Sequence, residues 1–182
     1  MHAVWNILVY VVLPLWVLAG FLDYLCHRVS DRYGKGVLPQ ESLIHWLMVG
    51  EMAVPLLLAV FFRINALILV IMLIALIAHE ITGYFDLKLA MATRKVTIFE
   101  HQVHSALEIL PLTAILLVMA LHWPQTLALF GAGPESAHFA LDWKGADWRE
   151  LLPPAILFLI GIILPYAEEL YREVRRIRSV DS

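Results

Sequence analysis

Five long apolar runs, roughly Val4 to Leu25, Leu43 to Phe62, Ala66 to Phe85, Ile98 to Leu121 and Leu152 to Leu170, take up more than half of this 182-residue chain. A helix needs about 20 apolar residues to cross the ~30 Å hydrocarbon core of a bilayer, so each run is a candidate span. Of the residues, 61% are hydrophobic and 16% charged, against about half and about a quarter in soluble domains. The expectation is an all-α integral membrane protein of five transmembrane helices, one domain over residues 1–182, with its chemistry inside or at the edge of the bilayer. The first run lacks a basic leader and is too long for a cleaved apolar core, so it reads as a retained helix.

Ten of the 13 Lys and Arg residues fall in three segments that share one side: Arg28, Arg32 and Lys35; Lys88, Arg94 and Lys95; Arg172, Arg175, Arg176 and Arg178. The positive-inside rule makes that side cytoplasmic, with the N-terminus outside and the C-terminus inside. A net charge of -3 without a concentrated basic surface excludes nucleic acid as a partner. The single cysteine, Cys26, rules out an internal disulfide and a Cys-rich metal site. The fourth loop, Trp123 to Glu150, carries Gly131, Gly133, Pro134 and Gly145 with Trp143 and Trp148, which predicts an irregular external cap anchored by aromatics.

Ionisable residues inside apolar runs are costly, and their positions are therefore informative. Helix 1 ends with Asp23 and His27; helix 2 starts with Glu41 and His45, then Glu51. Helix 3 runs to His79, Glu80 and Asp86, and helix 4 starts with Glu100, His101, His104 and Glu108. With the topology above, helices 1–4 form a bundle around a polar site in the cytoplasmic half. The pairs Asp23/His27 and His104/Glu108 stand at i, i+4, and His101/His104 at i, i+3, so each group shares a helix face. Imidazole with carboxylate and no thiolate suits iron, manganese or zinc, and four-helix bundles commonly hold two such ions. The expected ligand set is Asp23, His27, His45, Glu51, His79, Glu80, His101, His104 and Glu108, around two metal ions, iron foremost and zinc or manganese as alternatives. Glu100 follows Thr97 by three, a capping-box signature. Glu41 and Asp86 lie at headgroup level, where solvation accounts for them; Glu168 and Glu169 stand at the inner end of helix 5 with no role assigned. Positive-inside bias accounts for Arg94 and Lys95.

These spacings resemble those of the integral-membrane histidine-box lipid hydroxylases and desaturases, where H-x3-H and H-x2-H-H motifs hold two irons at the cytoplasmic face. Glu100-His101-Gln102-Val103-His104 approaches an H-x2-H box, and Asp23-x3-His27 and Glu41-x3-His45 keep the H-x3-H spacing with an acid in first place. The acids shift the ligand set towards the mixed carboxylate–histidine centres of ferritin-type bundles. The resemblance implies a di-iron oxidoreductase acting with O2 on a lipid or other hydrophobic small molecule, with electrons from a cytoplasmic donor or a quinol. Two alternatives stay open: a membrane zinc hydrolase acting on a lipid ester or amide, and a divalent-cation or proton transporter, for which the polar residues should continue across the membrane.

Overall fold

The computed structural model describes residues 2–32, 39–145 and 148–180. Lys35, counted above among the cations of one side, lies outside them. Among the described residues the chain is helical apart from loops and one isolated bridge between Phe62 and Trp143. Five helices are long and apolar enough to cross a membrane: α1 (His2–Ser30), α2 (Pro39–Phe61), α3 (Ala66–Thr93), α4 (Ile98–Leu121) and, after the short α5 (Trp123–Leu129), α6 (Leu151–Arg176).

Several helices outrun the apolar stretches that announce them. α1 and α3 continue past Leu25 and Phe85, and α2 begins before Leu43. The added turns are those that carry His27, Glu41 and Asp86, whose side chains are buried. Local signals fix other ends. Asn65 caps α3 by accepting from the Ile68 N–H at 3.2 Å, and Thr97 and Glu100 form a reciprocal capping box on α4. The fourth loop holds the unanticipated α5, started by Trp123 and Pro124; proline suits a first helical turn because its missing N–H has no partner there. Beyond α5 the chain runs back over the α2–α3 turn, where Asp142 O accepts from Arg63 N and Phe61 O accepts from Lys144 N.

α2 packs along α3, and α1 along α4. A core of Leu8, Val12, Ile68, Leu69, Met72, Leu76, Ala114, Ile115 and Val118 joins α1, α3 and α4 in the half of the molecule nearer α5, hereafter the far end. α6 crosses α1 closely because glycines stand at the crossing: a Cβ on Gly20 would collide with Ile162, and one on Gly161 with Val17. A π turn, Leu159–Ile163, lies at this crossing. It widens the helix just before Tyr166 and Glu169. Large apolar side chains such as Leu43, Ile74, Ile98, Leu116 and Ile160 point outward, as helices facing lipid require.

Candidate metal centre

Three helices each carry an acid and a histidine four residues apart: Asp23 and His27 on α1, Glu41 and His45 on α2, Glu100 and His104 on α4. The i, i+4 spacing stacks each pair on one face. At the polar end, where α1 and α3 finish and α2 and α4 begin, these six side chains meet Asp86 of α3 and Tyr166 and Glu169 of α6, and all nine are buried.

Each of the three histidines has Nδ1 engaged by an oxygen. His27 Nδ1 lies 3.0 Å from Glu169 Oε2, His45 Nδ1 lies 3.1 Å from Glu169 Oε1, and His104 Nδ1 lies 3.0 Å from the Glu100 carbonyl. An ionised carboxylate or a carbonyl only accepts, so Nδ1 carries a proton in each ring; Nε2 then either carries a second proton, as the 3.3 Å hydrogen bond of His104 Nε2 to Asp86 Oδ2 would use, or presents the lone pair of a neutral imidazole to a cation. Ser42 donates its hydroxyl to Glu169 Oε1 at 2.9 Å and helps fix that carboxylate. The His27 and His45 rings stack at 4.8 Å with 12° between planes, so both Nε2 atoms face away from Glu169.

The Nε2 atoms face carboxylates. His27 Nε2 is 3.6 Å from Asp23 Oδ1, 3.8 Å from Glu41 Oε1 and 3.7 Å from Glu100 Oε1. Asp86 presents one oxygen to His45 Nε2 and the other to His104 Nε2, each at 3.3 Å. Asp23 Oδ1, His27 Nε2, Glu41 Oε2, His45 Nε2 and Asp86 Oδ1 are buried without a hydrogen-bond partner, a costly condition for polar atoms. Two donors each about 2.1 Å from one ion and about 90–110° apart are separated by about 3.0–3.4 Å; both Asp86 separations, at 3.3 Å, lie in that range, and those around His27 Nε2, at 3.6–3.8 Å, are longer.

Arg94, just beyond α3, is buried and reaches Glu41 Oε1 at 2.6 Å and Glu100 Oε1 at 2.5 Å through one guanidinium nitrogen. Burial alone would favour its neutral form, but the hydrogen bond and charge of Glu41 and the charge of Glu100 outweigh this and raise its pKa above the ordinary value. Glu100 serves twice: Oε2 accepts from the Thr97 N–H in the capping box while Oε1 faces His27 and Arg94. Tyr166 shares its hydroxyl proton between Asp23 Oδ2 at 3.2 Å and Gly20 O at 3.3 Å.

Of the residues expected from sequence, Asp23, His27, His45 and His104 stand in this cluster. Glu51 and His79 form a separate pair 3.8 Å apart, with the Thr82 hydroxyl donating to Glu51 at 2.8 Å; His79 is seven residues, or about 10 Å along α3, from Asp86. Glu80 and His101 are exposed and Glu108 is half-buried, all three outside the cluster. Glu41, Asp86, Glu100, Arg94 and Glu169, for which sequence offered solvation, capping, a boundary or no role, stand inside it. The signal that finds two of the acids is the acid-x3-His spacing, which recurs at Glu100 and His104 once His101 is set aside.

A cavity of about 380 Å³ adjoins the cluster, with Asp23, His45, Asp86, His104 and Tyr166 in its wall at the polar end. Comparison with family models, with characterised proteins and with solved structures finds no match to this chain.

Proposed function

We infer that this chain is a membrane enzyme that binds two divalent metal ions, iron foremost, and uses O2 to oxidise a C–H bond of a lipid or other hydrophobic substrate. The observation that carries the reading is the set of three histidines with Nδ1 on an acceptor and Nε2 turned towards buried carboxylates. A second-nitrogen contact of this kind is what metal-bound histidines ordinarily make. Around His27 Nε2 stand Asp23, Glu41 and Glu100; around the Nε2 atoms of His45 and His104 stands Asp86. Charge supports two ions. The buried carboxylates Asp23, Glu41, Asp86, Glu100 and Glu169 bring five negative charges, Arg94 on Glu41 and Glu100 offsets one, and two divalent cations would offset the other four.

Two ferrous ions bound here would supply the electrons and open positions at which O2 is reduced. Balanced for a hydroxylation, a C–H bond, O2, two electrons and two protons give a C–OH group and water, the electrons coming from a cytoplasmic donor or a quinol. The chain's own contribution is to fix the ligands and keep water out. Glu169 holds two imidazoles in one tautomer, Tyr166 supplies a hydroxyl to Asp23, and the apolar cavity brings a hydrophobic substrate against Asp86 and His104.

The test is metal content per chain after purification in detergent without added metal or chelating resin, with absorption spectra before and after reduction. About two irons without a haem band is the expected outcome. Zinc alone would replace the oxidase by the hydrolase. No metal, with no uptake of added iron or zinc, would overturn the metal reading and leave protonated histidines as the countercharge.

A further inference from the structure

The cavity does not end at the cluster. Its wall follows α2 from His45 to Phe61, sixteen residues on, or about 24 Å at 1.5 Å per residue. From Met52 outward the side chains α2 gives it are apolar, and those of α1 (Leu13, Trp16, Val17) are apolar in body too. Phe61 ends α2 and Leu151 begins α6, and both line the cavity, so it reaches the far edge of the apolar spans. The polar end is closed: the side chains of Glu41, Arg94 and Glu100 are at most 1% exposed. α6 packs on α1 from Leu159 onward and on α2 from Leu164 onward, which leaves its first turns separated from α2 by the cavity.

At this far end Trp143 stacks on Phe61, with ring centroids 5.3 Å apart, and Lys144 donates its backbone N–H to Phe61 O and its ammonium to Ala59 O. An exposed tryptophan beside a cation is the usual furnishing of headgroup level. His79 and Glu108 also line the cavity towards the cluster, but an ionic headgroup carried from the far end would first lose its hydration in the apolar stretch beyond Met52, whereas an alkyl chain loses nothing there by leaving lipid.

Building on the reading of a lipid-oxidising centre, we propose that the cavity binds one acyl chain of a lipid from the leaflet opposite the cluster. The headgroup stays at the far interface beside Trp143 and Lys144. The chain runs down α2, and the carbons that meet Asp86 and His104 are those far from the headgroup. The centre therefore acts on the distal part of a chain and measures position from the far interface.

The probe is lysophosphatidylcholine, a single-chain lipid, carrying a nitroxide near the headgroup, at mid-chain or near the methyl end, added to protein loaded with Mn(II). Paramagnetic broadening should rise from the head-proximal to the methyl-proximal label. Ala53→Trp, which fills the middle of the cavity, should abolish the effect and lower retained lysophosphatidylcholine about tenfold, equivalent to about 1.4 kcal/mol, with metal content unchanged; Leu57→Trp is the second block should the first misfold. Strongest broadening near the headgroup, equal broadening at all positions, or lipid retention unaffected by either tryptophan would overturn the proposal. Retained lipid is read without metal. A chain that binds no metal but loses lipid on Ala53→Trp would therefore sink the oxidase and keep the chain-binding cavity.

Discussion

Glu169 fixes the tautomer of two histidines with one carboxylate. Replacing it by Gln leaves one accepting oxygen and one NH2, so either His27 or His45 loses its acceptor and the preference for a free Nε2. Loss of such an outer partner ordinarily costs about 10–100-fold in metal affinity, and Glu169→Gln should show it in a metal titration. Glu168→Gln is the control, because Glu168 bonds Tyr24 and Arg28 at the partly exposed rim and should leave metal affinity alone. Arg94→Gln leaves Glu41 and Glu100 buried without their cation, a change that costs about 3–5 kcal/mol in comparable buried pairs. The expected result is a large fall in thermal midpoint without metal and a smaller fall with it, since a bound cation takes over part of the neutralisation. Equal falls in both conditions would show that no ion approaches those carboxylates. At this scale the sequence reveals depth better than direction. Glu80 adjoins buried His79, and His101 adjoins buried Glu100, yet a rotation of about 100° per residue turns each neighbour to the outside. Glu169 was obscured differently: it sits in a charged run beside Glu168, Tyr171 and Arg172 that reads as a solvated helix end.

Elements inherit the same ambiguity. In a helix that is apolar all round, hydrophobic periodicity does not separate the packed face from the lipid face, so the five spans were legible while their packing was not. What did orient α1, α2 and α4 is the polar spacing itself, an acid and a histidine on one face. α6 carries no such pair, and its arrival depends on glycine at positions that composition does not mark. Gly161→Val should separate α1 from α6 by forcing a side chain into Val17; overpacking of this kind costs about 1–3 kcal/mol. Because α6 carries Glu169 and Tyr166, that variant should also lose metal, although residue 161 touches none of the polar cluster's side chains. Gly50 faces open space, and Gly50→Ala should leave both the thermal midpoint in detergent and the metal content unchanged or slightly improved. If Gly161→Val keeps full metal content while its midpoint falls, α6 contributes stability only.

For the whole molecule, the end with the cluster is also the end with the cations. Arg28, Lys88, Arg94, Lys95, Arg172, Arg175 and Arg176 flank it, against Arg63, Lys144 and Arg149 at the far end. On the orientation we propose from that bias, the centre would lie about 10 Å inside the cytoplasmic face, counting seven residues from Asp23 to the end of the first span at Ser30. Electrons would then come from the cytoplasmic side and the acyl chain from the outer leaflet. A fluorescent protein fused after Ser182 should fluoresce, and alkaline phosphatase fused there should be inactive. The opposite pair of results would put Arg94 and the C-terminal arginines outside. It would also reverse which leaflet supplies the chain, without altering the distance between the far end of the cavity and the cluster. Because that distance belongs to the fold and the direction to the insertion, the nitroxide gradient and the fusion pair can fail separately, and together they locate both the reacting carbon and the side from which its lipid comes.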